Sequence, residues 1–148
     1  MIACYNNSTV VACDKTVIRQ FKEYLTNQNQ FDFCSELDLS QSDDDIIDQL
    51  CQFMEIFKTD EILADFLTRY KVGGVNGDHD PKLATFECRW ASLKRQFAMR
   101  GLIVKKNEFA LTYTALKDRR HSLQQAEKMG KHAKNNKMIK NNLQRGLN

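Results

Sequence analysis

Acidic and basic side chains are sorted along this chain, and that sorting limits what it can fold into more than any single motif does. Residues 1–80 carry 6 Lys+Arg against 15 Asp+Glu, a balance of −9, whereas residues 81–148 carry 16 against 4, a balance of +12. The formal net charge of +3 conceals this division. Either the halves meet as complementary surfaces within one fold, or the basic half stands apart and concentrates polyanions, nucleic acid foremost. With 42% hydrophobic residues over 148 positions, the chain can bury a core without staples.

The five cysteines, Cys4, Cys13, Cys34, Cys51 and Cys88, are scattered and odd in number, with no C-x-x-C pair, which speaks against a disulfide framework or a zinc ribbon. No apolar run approaches a membrane span, and the opening "MIACYNNST" lacks a basic n-region and a long h-region. The expectation is a cytoplasmic protein, or a nuclear one in a eukaryote, that is neither secreted nor membrane-bound.

The acidic half reads as mainly helical. "IACY" and "TVVAC" lean towards strand and suggest a small hairpin or one edge strand. Asp14 is placed to cap a helix reaching about Asn27 through Val17, Ile18, Phe21 and Leu25. "FDFCSELDL" alternates Phe31, Phe33, Leu37 and Leu39, which favours an extended segment. In "SDDDIIDQLCQFMEIFK" Ser42 caps, Asp45 follows three residues on, and Ile46, Leu50, Phe53 and Phe57 form one apolar stripe. Asp43, Asp44 and Asp45 lack the spacing and the turning Gly of a calcium loop, so they read as helix-start chemistry. Thr59 opens a further helix through Tyr70. The connector "VGGVNGDHD" lacks the G-K-[ST] ending of a phosphate loop and reads as a linker, with His79 a surface polar group.

The basic half opens on Asp80-Pro81, a natural N-cap and first helical position, and Gly101 is a natural stop. Between them Leu83, Phe86, Trp90, Leu93 and Phe97 repeat at helical spacing and define a core face. One position earlier each time, Lys82, Thr85, Arg89, Ser92 and Gln96 form a polar stripe rotated by about 100°. Arg and Gln suit base edges, and Lys, Thr and Ser suit phosphates, so this stripe has a recognition helix's chemistry; it is also what a solvated face looks like. After Gly101, a turn at Lys106-Asn107 sets Val104 opposite Phe109 and Leu102 opposite Leu111, a β-hairpin with Lys105, Lys106 and Asn107 projecting from it.

"LKRQFAMRGLIVKKNEFALTYTAL", from Leu93 to Leu116, resembles winged helix-turn-helix DNA-binding modules, in which a recognition helix ends in an L-x7-G-L-I pattern and a wing returns through L-T. It covers 24 of the 148 residues. The resemblance implies base contacts from the helix face starting near Lys82, and minor-groove or backbone contacts from Lys105, Lys106 and Asn107. The nine-residue connector departs from the three or four residues of a standard helix-turn-helix.

Beyond Leu116 come Lys117, Arg119 and Arg120, then Lys128, Lys131, Lys134, Lys137 and Lys140 at every third position. On a helix that period drifts by about 60° per step, so these lysines wind round the axis. The tail reads as a disordered segment or a solvated helix that grips phosphates without choosing sequence.

The expected architecture is therefore α+β and mainly α: an acidic helical half (1–72), a Gly-rich linker (73–80), a winged-helix-like unit of long helix plus hairpin (81–118), and a basic tail (119–148). The expected function is nucleic-acid binding in regulation, duplex DNA before RNA. The expected interface is Lys82, Thr85, Arg89, Ser92, Gln96, Lys105, Lys106, Asn107, Arg119, Arg120, Lys131, Lys134 and Lys137. The alternative is an adaptor or inhibitor whose acidic half docks a protein partner or a second copy. No nucleophile elbow, paired catalytic carboxylates, zinc signature or kinase motif is present, so neither enzyme activity nor a cofactor or metal is expected.

Overall fold

The computed structural model describes the backbone over residues 7–27, 37–38, 40–72 and 79–146, and side chains within those spans from 13 to 130. Five α-helices follow one another: α1 (Asn7–Asn27), α2 (Asp43–Phe53), α3 (Ile56–Arg69), α4 (Leu83–Met99) and α5 (Ala110–Gly146). One buried cluster draws on all five, and its fully enclosed members include Phe21, Leu50, Phe66, Phe97 and Leu116. Helix α1 packs on α4, and α3 packs on α5.

The α+β expectation is overturned, because no strand is present among the described residues. The supposed hairpin is a short connector and the start of a helix. Val104 and Phe109 both drop into the core, but Leu111, the expected partner of Leu102, is 51% exposed. The Lys105 carbonyl accepts from the amides of Glu108 and Phe109, closing a turn that launches α5 at Ala110. The Leu111 and Thr112 amides, which a hairpin would pair across strands, donate instead to the buried Asp60 carboxylate at 3.1 and 2.8 Å. The Thr112 hydroxyl donates to the same carboxylate at 2.6 Å. A helix N-terminus leaves amides unpaired and attracts negative charge, so this borrowed carboxylate fixes helix over strand. The winged-helix unit goes with the hairpin.

In the acidic half, "TVVAC" lies inside α1, because intrinsic β preference is weak against a helix that buries Val17, Phe21 and Leu25. "IACY", most of "FDFCSELDL" and residues 73–78 of the connector lie outside the described residues. The Ser42 cap holds, its side chain accepting from the Asp45 amide. The long stripe does not, because the chain is extended at Met54 and Glu55, and α3 restarts with Glu55 as N-cap rather than at Thr59. Phe53 and Phe57 are consequently 77% and 57% exposed, and Ile47 joins Ile46 and Leu50 inside.

Helix α4 keeps its core face: Phe86, Trp90, Leu93 and Phe97 are buried. It begins two residues later than Asp80-Pro81 suggests, with Lys82 at the N-cap giving no side-chain cap bond. Its Leu83 amide instead donates to Glu127 of α5 at 2.9 Å. At the other end Gly101 adopts φ +87°, and the Gly101 and Leu102 amides turn back to the carbonyls of Ala98 and Phe97. This is a glycine C-cap, where a Cβ would be strained.

Candidate nucleic-acid interface

The polar stripe of α4 divides. Lys82 and Thr85 are exposed, but Arg89 is half-buried, and Ser92 and Gln96 are buried against α1. Arg89 Nη1 and the Ser92 hydroxyl donate to Cys13 Sγ at 3.0 and 3.1 Å. Gln96 Nε2 donates to Asp14 Oδ2 at 2.6 Å, and Arg95 pairs with the same carboxylate. Burial alone would raise the Asp14 pKa; the hydrogen bonds from Arg95, Ser92 and Gln96, with the Arg95 charge, outweigh it and hold the carboxyl below the ordinary aspartate range. One turn on, Arg100 pairs with Asp44 and Asp48 of α2 and donates to the Gln96 carbonyl at 2.8 Å. The central stretch of the expected reading face is thus a seam between helices.

Two further members of the expected interface are internal ties. Arg119 donates to the carbonyls of Thr68 and Tyr70 at the C-terminus of α3, and to Asp80 at 3.0 Å. A guanidinium there satisfies carbonyls left over by the helix and suits its negative end. Arg120 grips Glu87 with a two-pronged pair through Nε and Nη2, bridging α5 to α4. Lys131, Lys134 and Lys137 lie within α5, but their side chains are outside those described.

The open positive surface lies on the other flank of α4, facing α5. A cleft of about 380 Å³ is lined by Glu87, Trp90, Lys94, Arg95, Ile103 and Arg120. Arg120 also walls a second cleft of about 410 Å³, formed by Lys106, Ala110, Tyr113, Thr114 and Lys117. Lys117, Asp118, Arg120, His121 and Gln124 continue along α5, Asp118 being the one carboxylate among them. Lys94, Lys105, Lys106, Asn107 and Lys117 are exposed, and the ion pairs of the described residues leave these lysines out. Ile103, 53% exposed, and the Trp90 edge give this flank an apolar floor. The floor is held in place by the Tyr113 ring, edge-on to Trp90 at 6.3 Å, with its hydroxyl donating to the Val104 carbonyl at 3.0 Å.

The flank leads into the far part of α5, where residues 128–146 carry six Lys or Arg and no Asp or Glu. Sequence reasoning named Lys105, Lys106, Asn107 and Arg120 but passed over Lys94 and Lys117 as site residues. The signal for Lys117 was the i, i+3 and i, i+4 spacing of Ala110, Tyr113, Thr114, Lys117 and Arg120, readable only once that stretch is known to be helical. No described helix is long and apolar enough to cross a membrane. Comparison with protein families, with curated proteins and with solved structures finds no match for this chain.

Proposed function

We propose that this protein binds nucleic acid through phosphate contacts, using the α4–α5 flank and the cationic far part of α5, and that it does not read bases with α4. The observation that carries the reading is continuity of charge. Exposed Lys94, Lys106 and Lys117 lead into a stretch of α5 with six cations and no carboxylate. Counterions released from phosphates would drive binding, giving steep salt dependence and little sequence preference. Arg89, Ser92 and Gln96 already have protein partners and would have to leave Cys13 and Asp14 to meet a base.

The test is fluorescence anisotropy of the full-length protein with duplex and single-stranded DNA and RNA over a salt series. Affinity should fall steeply with salt, and replacing Lys131, Lys134, Lys137 and Lys140 with Gln should flatten the slope by about 3 to 4 units on duplex DNA. Absence of binding at low salt, or a slope unchanged by the four substitutions, refutes the reading.

A second reading, docking of a protein partner or a second copy through the acidic half, is favoured by Phe53, Ile56 and Phe57, exposed together where α2 turns into α3. Sedimentation across a concentration range, with Phe53→Ser and Phe57→Ser, separates self-association from a monomer.

A further inference from the structure

We propose that the cleft over the first turns of α5, lined by Lys106, Tyr113, Thr114, Lys117 and Arg120, seats a phosphate monoester. The proposal rests on the nucleic-acid reading for the source of that group, a terminal phosphate of an oligonucleotide; free phosphate shares the chemistry. Ala110, Tyr113, Thr114, Lys117 and Arg120 recur at helical spacing, so one side of α5 supplies all but one wall, and Lys106 overhangs it from the preceding turn. The opposite side of the helix is committed to the core through Thr112, Leu116 and Leu123. A cleft of about 410 Å³ falls in the range of small-ligand sites.

Charge selects the ligand. Three cations line the cleft, and the carboxylate attached to it, Glu87, is locked to Arg120. The local balance is +2. A phosphate monoester carries about −1.5 to −2 at neutral pH and matches this balance, while the single charge of a backbone diester leaves half of it uncompensated. The Glu87 clamp uses Nε and Nη2 of Arg120, so the guanidinium is fixed in orientation with Nη1 outside the pair. The Thr114 hydroxyl adds a neutral donor, and Tyr113, tethered to Val104, forms a rigid side wall. Asp60 occupies the amides at the start of α5, so the cleft's attraction comes from side chains.

The experiment uses the full-length chain and three oligonucleotides of one sequence, bearing a 5′ phosphate, a 3′ phosphate or neither. One phosphorylated end should bind about tenfold tighter than the unphosphorylated strand, the scale of one charge-assisted hydrogen bond. Lys106→Ala with Lys117→Ala should abolish that preference, and inorganic phosphate should compete it away in the parent protein. Equal affinity for all three strands overturns the proposal, as does a preference that survives the double substitution. If no strand binds, yet inorganic phosphate shifts the Thr114 and Lys117 resonances in the parent and not in the double variant, the cleft stands and the nucleic-acid reading falls. If no strand binds and phosphate shifts nothing, both fall.

Discussion

The two polar flanks of α4 carry similar side chains and meet opposite fates. Towards α1, half-buried Arg89 and buried Ser92 and Gln96 find Cys13 and Asp14; towards α5, Lys94 stands exposed in a cleft that shares Arg120, held by Glu87, with the cleft of Lys106 and Lys117. Residue type does not distinguish them. What does is where the neighbouring helix brings its carboxylate: α1 sets Asp14 against the middle of α4, whereas α5 sets Glu127 at the α4 N-terminus and presents Arg120 to the open flank. The acidic and basic halves thus do both things their composition allows. They neutralise each other across Arg95–Asp14, Arg100–Asp44, Arg100–Asp48 and Arg119–Asp80, and the cations left over gather on one side.

This contrast can be broken or sharpened by experiment. The largest effect is expected at the most committed carboxylate: Asp60→Ala strips the first turn of α5 of three hydrogen bonds and should cost about 2–4 kcal/mol in urea unfolding. On the enclosed flank, Arg89→Ala with Gln96→Ala should cost about 1–3 kcal/mol and leave the salt slope of nucleic-acid binding unchanged. A flatter slope at full stability would show that this flank faces the ligand after all. On the open flank, Lys94→Ala with Lys117→Ala should do the reverse, flattening the slope by about 2 units with stability constant to about 0.5 kcal/mol.

The pH response separates the flanks further. Because the Asp14 pKa is depressed in the folded protein, its contribution is present at neutral pH and is lost as pH falls through that lowered value. Asp14→Asn should therefore cost about 1–2 kcal/mol at pH 7 and progressively less on acidification. The smallest effect is chemical. Burial, opposed by Arg100, pushes the Cys51 thiol up to about 11, while Cys88 is exposed, so a maleimide at pH 7.5 should label Cys88 well before Cys51.

Local signals were legible in the sequence. The Ser42 cap, the Gly101 stop and the buried face of α4 each depend on residues within a turn or two of one another, and the structure keeps them. Partners far along the chain were not legible. Nothing near Leu111 foretells that Asp60, 51 residues earlier, will cap it, or that Glu127 will cap α4 from 44 residues beyond Leu83. The ribbon reading failed there: burial of Val104 and Phe109 satisfies a hairpin and a turn into a helix equally well, and a distant carboxylate decides between them. The break at Met54 and Glu55 is masked in the sequence because Phe53 and Phe57 extend the apolar period beyond the end of α2. The proposed interface was legible as a quantity of charge but not as a surface, since Arg119 is tied to α3 and Asp80, and Lys117 joins the exposed cleft only through helical spacing.

Asp60 also imposes an order of events. On the ribosome α3 emerges before α5 exists, so a buried carboxylate must wait, hydrated and unmatched, until some fifty further residues have been made. Deuterium uptake at the Leu111 and Thr112 amides then becomes a clock for the docking of α5 on α3, because their protection depends on that contact rather than on coil-to-helix conversion alone.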